Sequence, residues 1–133
     1  MERPVHFDLA AAEKSIRAHL AASKQEAMRL ADCDDGRQLV ELQCGLDGVI
    51  VATALWQMRC ANEGASSRLM IEAFGNIIGT EIASFAGNFD HPIDTVNKLM
   101  ELIAEAVAAT INGGAEGAVT GKVRIDGVVG GRA

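Results

Sequence analysis

A chain of 133 residues is long enough for one domain with a real core and too short for a catalytic domain plus a regulatory one. Eighteen Asp and Glu against twelve Lys and Arg leave a net charge of -6 with no basic cluster, which excludes a charge-driven nucleic-acid binder. Hydrophobic residues make up 49% but aromatics only 4%, so any core is aliphatic, and the abundance of Ala, Leu, Ile and Met among Glu, Lys and Arg favours helix.

The leading segment, Met1 to Asp8, carries charges and a proline where a signal peptide would carry an apolar core. The first helix is expected from about Asp8 to Ala31. Leu9, Ala12, Ile16, Leu20, Ala27 and Leu30 fall on one stripe, and Glu13, Lys14, Arg17, Lys24, Glu26 and Arg29 on a solvated face. Asp32-Cys33-Asp34-Asp35-Gly36 interrupts the pattern. A calcium loop would need glycine sixth and glutamate twelfth, and Arg37 and Gln43 stand there. The residues instead predict Asp35 as a helix cap, with Gln38 reaching back to it.

A second helix is expected over Gly36 to Asn62 as one piece. Leu39, Val40, Leu42, Leu46, Val49, Ile50, Val51, Leu55, Trp56 and Met58 point in nearly every direction at helical pitch, leaving only a narrow polar strip. A helix apolar almost all round must be covered almost all round, by the other helices and by a second subunit. Its longest uncharged run, Gly48 to Met58, is about half a membrane span, so no integral membrane association is expected.

Gly64 is placed to end that helix, and Ser66 or Ser67 to cap a third running to Phe89. Ile71, Phe74, Ile78, Ile82, Phe85 and Phe89 recur at spacings of three and four. Beside them Gly75, Gly79, Ala83 and Gly87 recur every four residues, a smooth flank that serves either tight packing within the chain or a self-association seam. Glu72 and Glu81 argue against lipid facing that flank.

Asp90-His91-Pro92 opens a fourth helix, carried by Ile93, Val96, Met100, Ile103, Val107 and Ile111 and stopped by Asn112-Gly113-Gly114. Residues 113–133 hold seven of the fourteen glycines, which leaves a tail, or a short hairpin around Lys122-Val123-Arg124-Ile125 and Asp126-Gly127.

Chemistry is sparse. Glu-x-x-His, Gly-x-Ser-x-Gly and a phosphate-cradling loop are all lacking, and His6, His19 and His91 are not paired at one-turn spacing. A phosphotransfer role for His19 would favour a glycine soon after it, and Leu20-Ala21-Ala22-Ser23-Lys24 has none. Cys33, Cys44 and Cys60 are odd in number without a Cys-x-x-Cys pair, which fits a reducing cytoplasm. Asp47 is the polar oddity, sharing a sector with Val40, Val51 and Met58. Such a carboxylate fixes helix register, binds a ligand with His19 and Glu72 or Glu81, or stands in solvent.

The sequence thus predicts an all-α protein, a mainly antiparallel four-helix bundle over residues 1–112 with a Gly-rich extension over 113–133. It is expected to be cytoplasmic, to need no cofactor or metal, and to act without catalysis by forming a homo-oligomer and binding another protein. Gly75, Gly79, Ala83, Gly87, Val51, Leu55 and Trp56 are the expected interface. The alternative is a ligand- or metal-binding bundle, possibly an enzyme, centred on Asp47 with His19 and Glu72.

Overall fold

Punctuation by caps and glycines sets where each helix starts and stops in the computed structural model, which describes residues 6–113. The hairpin expected near Lys122 to Ile125 lies outside the described residues. Five helices follow in chain order: α1 (Leu9–Leu30), α2 (Asp34–Cys44), α3 (Asp47–Asn62), α4 (Ser67–Ala86) and α5 (Pro92–Asn112), and no strand occurs among the described residues. The protein is all-α. These residues divide into two compact units, one extending to Gly64 and the other beginning at Ala65.

In the first unit α1 starts where the Asp8 side chain accepts a hydrogen bond from the Ala11 N–H at 3.1 Å, satisfying one of the free donors of the first turn. The expected cap at Asp35 is not made. Cys33 occupies that position, its Sγ accepting from the Gly36 N–H at 3.3 Å, while Asp34 and Asp35 sit in the first turn of α2. Two carboxylates there already favour the positive end of the helix dipole, and Asp34 also holds Arg37 at 2.6 Å, so the helix can begin two residues earlier than expected.

The single helix expected over Gly36 to Asn62 is also corrected. It breaks at Gly45 and Leu46, where the Leu46 N–H turns to the Gln43 carbonyl at 2.9 Å, a tighter 3₁₀-type bond. Gly45 and Gly48 weaken helix on either side, and Asp47 gains from a first-turn position, so restarting the helix at Asp47 costs little.

The core of this unit is the cluster Ile16, Val51 and Met58, with Phe7, Leu9, Ala12, Leu20, Ala54 and Leu55 packed against it. Phe7 is held by both ends of one amide. Asn62 Oδ1 accepts from the Phe7 N–H at 2.7 Å and its Nδ2 donates to the Phe7 carbonyl at 2.9 Å. The segment ahead of α1 is thereby fastened to the last residue of α3. Asn62→Ala removes both bonds and leaves two half-buried backbone groups unmatched, and is expected to lower the unfolding free energy by about 1–3 kcal/mol. Urea denaturation checks it, and an unchanged midpoint would mean that water serves both groups equally well.

Gly64 ends this unit with φ +70, a left-handed conformation that a Cβ disfavours. Gly64→Ala is expected to cost about 1–2 kcal/mol and Gly64→Asn less, since Asn tolerates that region. Thermal denaturation of the two variants side by side gives the order.

In the second unit Ser66 caps α4 through Oγ, which accepts from the Leu69 N–H at 3.5 Å. The helix ends at Ala86, short of the expected Phe89, because Gly87 and Asn88 begin a turn in which the Asn88 and Phe89 N–H groups bond to Phe85 and Ala86. Phe89 stays beside Phe85, with ring centroids 4.9 Å apart. Pro92 opens α5 as expected, where its absent N–H is no loss. Helices α4 and α5 touch each other, yet the unit's described residues include one buried hydrophobic, Ala86.

Candidate functional site

Four described hydrophobic residues are buried, Ile16, Val51, Met58 and Ala86, while eighteen large hydrophobics are exposed. Six of the eighteen belong to the first unit, between Leu30 and Ile50, and twelve to the second. Single exposed leucines are ordinary on a soluble protein, but patches beyond a few hundred Å² mark a surface that meets something. The α2 helix buries none of its residues, and Leu39 and Leu42 stand 56% and 65% exposed.

The residues expected at an interface separate into two groups. Val51 is corrected: it is 3% exposed and the most covered member of the Ile16 cluster, so its side chain is spent on the fold. Leu55 packs against the same cluster, and Trp56 is half-buried. Gly75, Gly79, Ala83 and Gly87 are all exposed along α4. A Cβ placed on Gly75 or Gly79 would meet nothing within 4 Å. Close packing that would explain two mid-helix glycines, each worse than alanine by about 1 kcal/mol, is therefore not realised at these two positions.

Asp47 stands half-buried in the first turn of α3, its carboxylate with no hydrogen bond or ion pair to any described residue. It edges an open groove of about 470 Å³ between α1 and the α2–α3 junction, where Leu20, Ala27, Val40, Leu46 and Ile50 form apolar walls and Lys24 and Gln43 supply further polar groups. His19 is exposed and does not line this groove. Glu72 belongs to the second unit and pairs with Arg68 at 3.7 Å, and Glu81 is exposed. Lys98 sits 3.9 Å from Glu101. Among the described residues no three His, Cys, Asp or Glu side chains come together as a metal site.

A second open groove, about 570 Å³, lies at the α4–α5 turn, where Phe85, Phe89 and Leu99 meet Asp90, His91, Asp94 and Lys98. Arg29 donates to both oxygens of Glu26 at 2.6 and 3.0 Å, which holds that carboxyl below its usual range and raises the guanidinium in turn. Both groups are fully in solvent, so the pair is a local ornament of α1 and no part of a site.

By length and composition two stretches would suffice to cross a membrane, Asp34–Asn62 with mean hydropathy 1.4 and Ser67–Ala86 with 1.2. Only 6% of the most apolar 18-residue window of each is buried within the chain. Apolar surface on α2, α4 and α5, together with an apolar groove edged by Asp47, is what an all-helical protein of this kind offers to its surroundings. Comparison with protein families, curated proteins and solved structures finds no match to the chain.

Proposed function

We propose that this is a non-enzymatic helical binding or scaffolding protein that acts by self-association in the cytoplasm, its assembled form engaging a protein partner. The observation that carries the reading is the inverted burial: eighteen large hydrophobics exposed against three buried, Ile16, Val51 and Met58, among the described residues. At about 25 cal/mol per Å² of apolar surface removed from water, covering even half of them favours association by many kcal/mol before its entropic cost. The mainly antiparallel four-helix bundle anticipated from the sequence then becomes an arrangement completed between copies, as short loops and amphipathic helices favour.

Lipid is the other medium that covers apolar helices. Glu41 and Asp47 interrupt the first long apolar stretch, and Glu72 and Glu81 the second. Charged residues near the middle of a span cost about 2.5–3.5 kcal/mol each on insertion scales, which favours protein over bilayer as the cover. A ligand-binding role keeps one supporting observation, the groove beside Asp47 with Lys24 and Gln43 at its edge.

An environment-sensitive hydrophobic dye separates these readings. Fluorescence per mole of chain is expected to fall as protein concentration rises, because associating copies cover one another's faces. A signal that is independent of concentration and saturates at one dye per chain would instead favour the Asp47 groove and remove the support for self-association.

A further inference from the structure

We infer that the seam of self-association is the α4–α5 hairpin, two copies of which pair apolar face to apolar face into a four-helix bundle. This rests on the self-association reading and gives it a surface. Twelve large hydrophobics on this unit stand between 38% and 76% exposed, among them Phe74, Ile77, Phe85, Ile103, Val107 and Ile111. Leu69 and Leu102 lie opposite the others at helical pitch, and the remaining ten, at on the order of 100–150 Å² each when bare, present roughly 600–800 Å² of apolar surface. A stable interface of standard size uses about 800 Å² per partner, so one hairpin carries enough to meet another.

The shape of the unit points to a copy of itself. Every described residue from Met100 to Gly113 is exposed, Val107 and Ile111 at 52% and 69%, so the second half of α5 is an amphipathic helix whose apolar stripe no described residue buries. Two amphipathic helices with broad stripes leave part of each open after packing along one contact, whereas four around a common axis enclose them. Gly75 and Gly79 leave open space on α4 where a helix from the second copy can come close without displacing a side chain.

Charge discriminates the copy from a basic partner. Between Ala65 and Gly113 there are six carboxylates, Glu72, Glu81, Asp90, Asp94, Glu101 and Glu105, against Arg68 and Lys98. Two such hairpins repel at long range and attract on contact, so added salt strengthens their pairing, while a cationic partner would be released by salt.

The test is sedimentation of the full-length chain and of two double variants, with helix content followed by circular dichroism. Val107→Lys with Ile111→Lys replaces β-branched residues by a better helix former at positions 52% and 69% exposed, so loss of helix is not its direct consequence. Self-affinity is expected to fall at least about 100-fold, the effect of losing central apolar anchors. Leu39→Lys with Leu42→Lys on α2 is expected to leave it within about threefold, well under the tenfold that 1.4 kcal/mol represents. The wild-type affinity is expected to rise with salt. An assembly broken by the α2 pair but untouched by the α5 pair overturns this seam and leaves self-association standing. A chain that is monomeric at every concentration, or that floats with phosphatidylcholine vesicles while monomeric in buffer, overturns both.

Discussion

Val51→Asp is expected to unfold the unit that ends at Gly64, with loss of the far-UV signal of α1 and α3 and collapse of its urea transition. Its core holds three buried residues, and Val51 is the most covered of them at 3% exposed. A small domain is stable by about 0.05–0.15 kcal/mol per residue, which for a unit of this size is a few kcal/mol. Placing a carboxylate among Ile16, Met58 and Leu55 with no cation in the cluster costs several kcal/mol or forces the group to stay protonated. The penalty therefore matches or exceeds the whole stability of the unit. Val51→Ala gives the scale, with an expected loss of about 2 kcal/mol from the removed methyls and the cavity they leave. A folded Val51→Asp protein with wild-type urea midpoint would show that the Ile16 cluster is not the core.

Thermal stability is expected to depend on protein concentration, and chiefly in the α4–α5 unit. That unit has one buried hydrophobic among its described residues, Ala86 at 1% exposed, and helices of ordinary length are marginal in water without tertiary cover. If pairing supplies the cover, folding is linked to association. Each tenfold rise in concentration then adds about 1.4 kcal/mol to the apparent stability of a dimer. Circular dichroism melts collected over about a hundredfold range of concentration should shift upward by several degrees, since about 1 kcal/mol moves the midpoint of a small domain by 4–8 °C. Superimposable melts would mean that the hairpin holds itself together. The Ile16 cluster, complete within its own unit, predicts a component of the melt that moves less.

How much of this could be read from residues alone is clearest at the helix ends. Asp8, Ser66 and Pro92 are capping and first-turn residues placed just before apolar periodicity, and each starts the helix anticipated for it. Gly64 stops α3 by the positive φ its position needs. The break at Gly45 and Leu46 left no such trace. Gly45 keeps helical dihedrals and Leu46 departs only modestly, so the hydrophobic spacing runs through the junction nearly undisturbed. The cap at Cys33 was hidden for another reason: a thiol is a weak acceptor, and the flanking carboxylates are the stronger sequence signal.

Packing was less legible than helicity. The stripe positions of α1 and α3 say which side is apolar, not which neighbour covers it, so Val51, expected at an interface, packs in the core of its own unit. The Phe7–Asn62 clasp joins residues 55 apart in sequence, and neither residue type signals it. At the candidate site, the apolar girth around Leu39, Leu42, Val49 and Ile50 was evident from composition and pitch, and it is exposed. The expected grouping of Asp47 with His19 is not made at the groove, because helical projection gives an angle on one helix and no distance to another.

Sedimentation equilibrium of the full-length chain across a dilution series tests the central claim most directly, since it weighs the particle without labels or substitutions. The account predicts an average mass above 14.0 kDa, at least twice it at high concentration and falling reversibly toward it on dilution. A mass fixed at that of one chain throughout the series, with helix content undiminished, would contradict it.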